Sequence, residues 1–243
     1  MTRGAVLRLP AAAPEGGRIH DSVVRTLGAW VLGGRYAPGE ILPREEDIAA
    51  SLGVSRTSVR EAVKVLSAKG LLETRPRVGV RVRGRDDWRL LDPAVLSWHP
   101  DLTRDPDLVA GLIEARRIIE PAAAELAARR GSAADLAGIE AAYLGMVAAI
   151  PHDLAACCEA DVAFHAGVIA ASRNVVLKGL VGTIEAALRA VFSVTNQLMT
   201  TQSHALAAHG EVVERIRFRD AAGARLAMQR LLDLAAEDLS PRG

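Results

Sequence analysis

Aromatic side chains are scarce in this sequence: Phe, Tyr and Trp together make up 3% of its 243 residues. Small aliphatic residues dominate the apolar faces instead, so the elements that carry them have to pack at short range. Cysteine is also rare, with two residues, adjacent at Cys157 and Cys158. A bridge between sequence neighbours is strained and no C-x-x-C spacing supports a redox pair. Both are therefore expected as small reduced side chains, consistent with the cytosol. Long apolar runs are missing too. Half of the chain is hydrophobic, yet no stretch approaches the roughly 20 uninterrupted apolar residues that span a bilayer. The opening MTRGAVLRLPAAAPEGG carries two arginines but no sustained apolar segment of the kind a signal peptide needs. These absences predict a cytoplasmic protein without a membrane partner. Pro10, Pro14, Gly16 and Gly17 mark residues 1–18 as a disordered arm.

Net charge is lacking as well, at +1 overall, but it is unevenly spread. Residues 1–88 hold 15 Lys/Arg against 10 Asp/Glu, net +5, while residues 89–243 hold 15 against 19, net −4. A basic amino-terminal part on an acidic remainder is the asymmetry of a nucleic-acid module joined to something else.

What is there fits that division. Ile19, Val23, Leu27, Trp30 and Val31 share one face of a helix over 19–33. GRYAPGEILP breaks it, and REEDIAASLG forms a short helix with Glu45, Glu46 and Asp47 at its positive dipole end. Gly53 ends that helix, Ser55 caps the next, and Arg56 to Lys69 runs as a third helix stopped at Gly70. LLETRPRVGVRVRG then alternates like two short strands around a turn at Pro76-Arg77-Val78-Gly79. The order is that of a winged helix-turn-helix over 19–84. Residues 85–104 form a connector with a short helix, where Trp88 and Trp98 are placed to anchor against a neighbouring domain. Beyond Pro106 all signals are helical, over 107–130, 133–149, 152–172, 175–199, 203–218 and 220–239, with Asn174 as a cap. The fold class is thus mainly α: a winged helix with a two-stranded wing, then an all-α bundle over 105–240.

The third helix carries the sharpest signal. At about 100° per residue, Val59, Ala62, Val63 and Leu66 fall in one sector. Thr57, Arg60, Glu61 and Lys64 fall in another, with Arg56 between them at the helix start. An apolar back and long donors near the amino-terminal end are what a major-groove helix needs. A solvated helical face is the plainer alternative; the preceding helix, the Gly turn and the arginines at 75, 77, 81 and 83 favour DNA.

LPREEDIAASLGVSRTSVREAVKVLSAKGLLETRPRVGVRV resembles the GntR-type winged helix-turn-helix. IEARRIIEPAAAELAARR, ADVAFHAGVIAASRN and HGEVVERIRFRDAAGARLAM resemble the helical ligand-sensing domain of the FadR branch of that family. The linker DDWRLLDPAVLSW is similar to that of the subgroup with galactonate-responsive repressors. The resemblance implies a ligand-responsive regulator, a repressor by family habit, that binds a palindromic operator in double-stranded DNA as a homodimer. It places Ser55, Arg56, Thr57, Ser58 and Arg60, and in the wing Arg77, Val78 and Gly79, on positions that meet DNA. Some relatives have a basic residue where this chain has Glu46, so that contact is not carried over.

Asp161 and His165 are four residues apart and stack on one helical face, either as a surface pair or as two ligands of one cation. The resemblance favours a divalent metal and adds His209 as a third ligand. It puts the fourth at Leu231, which has no donor. Asp and two His suit Zn²⁺, Ni²⁺ or Mn²⁺ with positions left for water or a carboxylate. Arg116 matches the arginine that faces the effector in relatives, and a guanidinium suits a small carboxylate such as a sugar acid. The alternative for Arg116 is an ion pair with Glu120, four residues on. Two other functions compete: a metal-dependent hydrolase centred on Asp161, His165 and His209, and a DNA-binding protein with no effector. The absence of an evident general base counts against the hydrolase.

Overall fold

In this computed structural model the described residues are 16–195 and 202–239. They form two compact units, divided between Asp101 and Leu102. Residues 1–15 of the expected arm lie outside the described residues, and the first helix begins at Gly16, three residues before its expected start.

In the first unit, α1 (Gly16–Leu32) buries Val23, Leu27 and Val31, one per turn. They meet Val59, Ala62, Val63 and Leu66 of α3 (Arg56–Ala68), the apolar sector read from the sequence. Between them, α2 (Glu45–Leu52) ends where Gly53 adopts φ 69°, a left-handed conformation that costs glycine little. Ser55 caps α3, its Oγ accepting from the Ser58 amide at 3.0 Å. After α3, Gly70 has φ 80°, and a Cβ there would lie 2.0 Å from the carbonyl oxygen of Asp87. No other residue fits that close approach.

Strands β1 (Leu72–Arg75) and β2 (Gly79–Val82) pair antiparallel, with Leu72 opposite Val82 and Arg75 opposite Gly79. Residues 39–42 run along the other edge of β2, through the Gly39 amide to Val82 O at 2.9 Å and the Leu42 amide to Val80 O at 2.8 Å. The sequence showed this segment only as a break. The connector folds back on the winged helix, the neighbour against which its tryptophans anchor it: Val95 and Trp98, on or after α4 (Pro93–Ser97), join that core, and Trp88 packs against it. A Cβ at Gly28 would stand 3.0 Å from Trp98 Cε3, so α1 is glycine where the indole crosses it.

The second unit is helical throughout its described residues: α5 (Pro106–Arg130), α6 (Ala133–Ala149), α7 (Leu154–Ala171), α8 (Val175–Lys178), α9 (Val181–Thr195), α10 (Gln202–Arg217) and α11 (Ala221–Leu239). α6 packs on α7, α5 on α7 and α11, and α10 on α11. Ala123, Ala124, Ala127 and Ala128 of α5 are all fully buried, and side chains this small bring helices into close contact. Pro121 lies inside α5, so the carbonyl of Arg117 has no amide four residues on to bind. The expected single helix over 175–199 is two: Asn174 caps α8 through its Oδ1, and the chain turns at Gly179–Leu180 before α9. A Cβ at Gly179 would sit 3.2 Å from Val176 O. α7 alone among the described helices is long and apolar enough to cross a membrane, by length and composition. Here it packs against α5, α6 and α9.

Candidate functional site

The first unit presents the residues assigned to DNA. Ser55, Arg56, Thr57 and Arg60 at the start of α3 are exposed, as are Arg77, Val78 and Gly79 at the wing tip. Ser58 is half-buried, and its hydroxyl is 2.8 Å from that of Ser55. Arg77 holds φ 65° at the turn, and it has no ion-pair partner among the described residues. The other wing arginines have carboxylate partners: Arg75 and Arg81 share Glu73, and Arg83 meets Asp87. The sequence did not show that α2 reaches across to α3. Glu45 Oε2 lies 3.1 Å from both Nε and Nη2 of Arg60, and Glu46 Oε2 lies 3.7 Å from Arg56 Nη1.

The second unit gathers Asp161 and His165 from α7 and His209 from α10. One ligand atom of each lies within 4.8 Å of the others. Asp161 Oδ1 is 2.9 Å from His209 Nε2 and 3.7 Å from His165 Nε2. Both rings are nearly buried and stand edge-on to Phe164, with centroids 5.3 and 4.9 Å away.

The outer nitrogens decide what the inner ones offer. His209 Nδ1 is 2.7 Å from the carbonyl oxygen of Ala205, which only accepts, so that nitrogen carries the proton. His165 Nδ1 likewise bonds Glu120 Oε2. In neutral rings both Nε2 atoms then present lone pairs towards the Asp161 carboxylate. His209 Nε2, although close to Asp161, has no hydrogen-bond partner of acceptable geometry. Such an arrangement calls for positive charge between the three groups, from extra ring protons or from a cation. Anchoring a histidine's second nitrogen on a carboxylate or a carbonyl is also how metal-ligating imidazoles are held. The residues therefore fit a divalent metal.

Electrostatics agree. Burial opposes ionisation of Glu120, but Arg116 and His165 outweigh it and hold its pKa down to about 2. Burial opposes ionisation of Asp161 too, but the facing His165 and His209, and then Arg116, hold it below the usual carboxylate range. Burial and the nearby Asp161 push the Cys158 thiol up to about 11 and raise Cys157 as well, so neither is a ready thiolate ligand.

Arg116 makes the ion pair that the i, i+4 spacing allowed, with Nε 2.6 Å from Glu120 Oε1. It also reaches the metal-type cluster, its Nη2 lying 3.4 Å from His165 Nε2. Glu120 is thus shared between Arg116 and His165, a role invisible in the sequence because His165 is 45 residues away. Leu231 is buried in the core cluster that includes Phe164, Val212 and Met228, and supplies no donor.

Comparison with known proteins matches residues 19–82 to the family described as "Bacterial regulatory proteins, gntR family", and residues 111–234 to the FCD domain. The chain belongs to the GntR family. Within it, this regulator is 37% identical over 190 residues to the galactonate operon transcriptional repressor of Escherichia coli (strain K12), covering 76% of this chain and 82% of that one. It is 31% identical to the putative L-lactate dehydrogenase operon regulatory protein of the same organism, covering 87% and 82%. The solved structure of Lar, which controls the expression of the Listeria monocytogenes agr system, shares the fold with a TM-score of 0.66. It is 20% identical and covers 90% of this chain and 95% of that one. The chain is a GntR regulator of the FadR type, with an FCD domain, and not an enzyme; the hydrolase reading finds no support among these relatives.

Proposed function

We propose that this GntR regulator represses a catabolic operon in the cytoplasm and releases it when a small carboxylate, a sugar acid such as an aldonate, binds the FCD domain. Residues 19–84 would be the DNA-binding domain, 85–104 the linker, and 105–240 the effector-binding and dimerisation domain. A homodimer places two recognition helices on a palindromic operator. Ser55, Arg56, Thr57, Ser58 and Arg60, with Arg77, Val78 and Gly79, form the contact set.

One observation carries the effector half of this reading: two imidazole Nε2 atoms converge on the Asp161 carboxylate, with the Arg116 guanidinium beside them. Asp161, His165 and His209 would hold a divalent ion, Zn²⁺, Ni²⁺ or Mn²⁺, which supplies a Lewis-acidic position for an anion. Glu120 and Asp161 bring two negative charges to the interior and Arg116 one positive, so a divalent ion leaves the cluster with an excess of one positive charge. An acid effector matches that excess. The single lone pair of His165 Nε2 accepts from Arg116 or binds a cation, but not both. Ion binding therefore frees the Arg116 Nη2 donor for a carboxylate.

The test combines elemental analysis of the purified protein with operator shifts in the presence of galactonate, gluconate and L-lactate. Stoichiometric metal and release by one acid, lost in His165→Ala, is the expected result. Metal-free protein that binds its operator and responds normally to an acid after chelation would overturn the metal reading. Operator binding unmoved by any small acid would favour the effector-free alternative.

A further inference from the structure

We infer that Glu45, on α2, is a positioning residue for DNA reading: it fixes the guanidinium of Arg60 so that only one of its two forks faces a base. This rests on the proposal that Arg60 reads DNA, and the test below separates the two. A guanidinium offers paired donors along its Nε–Nη2 edge and at its Nη1–Nη2 end. Glu45 Oε2 lies 3.1 Å from both Nε and Nη2 of Arg60, so the edge is taken and the end remains. A guanine accepts through O6 and N7 from either fork. An untethered Arg60 would sample both approaches; the tethered one is pre-set to the end-on approach, which lowers the ordering cost of binding.

The exposures support this division of labour. The Glu45 side chain is 23% exposed and that of Arg60 59%, so the carboxylate is the seated partner and the guanidinium projects outward. An exposed ion pair contributes little stability of its own, which leaves orientation as its main effect. Glu46 differs. Its carboxylate is 47% exposed and no closer than 3.7 Å to Arg56 Nη1 and 3.8 Å to Arg44 Nη1. It does not tether either arginine, and its charge near the phosphates works against indiscriminate binding.

The experiment uses the full-length protein and a double-stranded operator selected from a random duplex library with the wild type. Fluorescence anisotropy gives Kd for that operator and for an unrelated duplex, in wild type, Glu45→Ala, Glu45→Gln, Arg60→Ala and the Glu45→Ala/Arg60→Ala pair. Removing a carboxylate from a DNA-facing surface should by charge alone tighten binding to any duplex. Positioning predicts the opposite on the operator: roughly tenfold weaker binding for Glu45→Ala, the scale of a lost base contact, with the unrelated duplex unchanged or bound more tightly. The operator-specific loss should vanish in the Arg60→Ala background. Glu45→Gln, which keeps the side chain's shape at the start of α2, should show the same loss in smaller measure and guards against a folding defect. Equal or tighter operator binding by both Glu45 variants, or an equal loss with and without Arg60, overturns the inference. If Arg60→Ala alone leaves operator affinity unchanged, the DNA-reading assignment fails first, and the inference with it.

Discussion

Glu120 joins two side chains of the candidate site at once: Oε2 bonds His165 Nδ1, and Oε1 accepts from Arg116 Nε at 2.6 Å. Its charge orients the imidazole from behind and holds the guanidinium that would meet the effector. Glu120→Gln keeps the shape but loses the charge, and should weaken metal binding by about tenfold or more. Chelator competition measures it, with circular dichroism as the fold control. Unchanged metal affinity in a folded variant would remove Glu120 from the site.

Leu231 stands, by family resemblance, at the fourth ligand position. Leu231→His should destabilise the metal-free protein, because a polar ring enters an apolar core. It should also tighten metal binding if the proposed three-ligand shell is right. Melting temperatures with and without added Zn²⁺ would show both effects, with a larger metal-induced rise in the variant than in wild type. A metal-induced rise no larger than that of wild type would mean that position 231 does not face the ion.

Arg219 donates through Nη1 to the carbonyls of Ala128 at 3.1 Å and Gly131 at 2.7 Å, closing the carboxy-terminal end of α5 from the loop after α10. Its own φ is 59°, a conformation that favours glycine. Arg219→Ala loses the bonds and keeps the backbone strain, and should cost about 2 kcal/mol. Arg219→Gly loses the same bonds but relieves the strain, and should cost less by roughly 0.5–1 kcal/mol. Urea denaturation of the two variants checks the order; a more stable alanine variant would contradict it.

Asp135 completes a capping box with Ser132 and also receives Arg173. The Ser132 amide and hydroxyl, then Arg173, hold its pKa down to about 2, against an ordinary value of 3.8. A carboxylate with a depressed folded pKa adds stability above its unfolded value and loses it as pH falls through the folded one. Asp135→Asn should therefore be less stable than wild type at neutral pH, with the gap closing between about pH 4 and 2. A gap that stays constant over that range would show that charge plays no part.

Much of this was legible because it is local. The apolar sector of α3, the Gly53 turn, the Ser55 cap and the Asp161–His165 spacing all lie within a few helical turns, where periodicity fixes which residues share a face. The contacts that complete the sites were not legible. Arg60 finds Glu45 fifteen residues earlier, and His165 finds Glu120 forty-five residues earlier, through tertiary packing that no spacing rule encodes. The break between α8 and α9 was missed for another reason: its apolar residues continue across Gly179, and glycine alone only weakly marks a helix end.

Pro121 gives α5 unequal stiffness along its length. The backbone ladder lacks a rung at the Arg117 carbonyl, one residue after Arg116 and just before the turn that carries Glu120. Past that gap, Ala123, Ala124, Ala127 and Ala128 are fully buried in the bundle, and Glu125 pairs with Arg129 and Arg225 on the outer side. A pull on Arg116 therefore meets a yielding segment on one side and an anchored rod on the other. Bending should concentrate in residues 106–120, the stretch that opens the second unit directly after the connector.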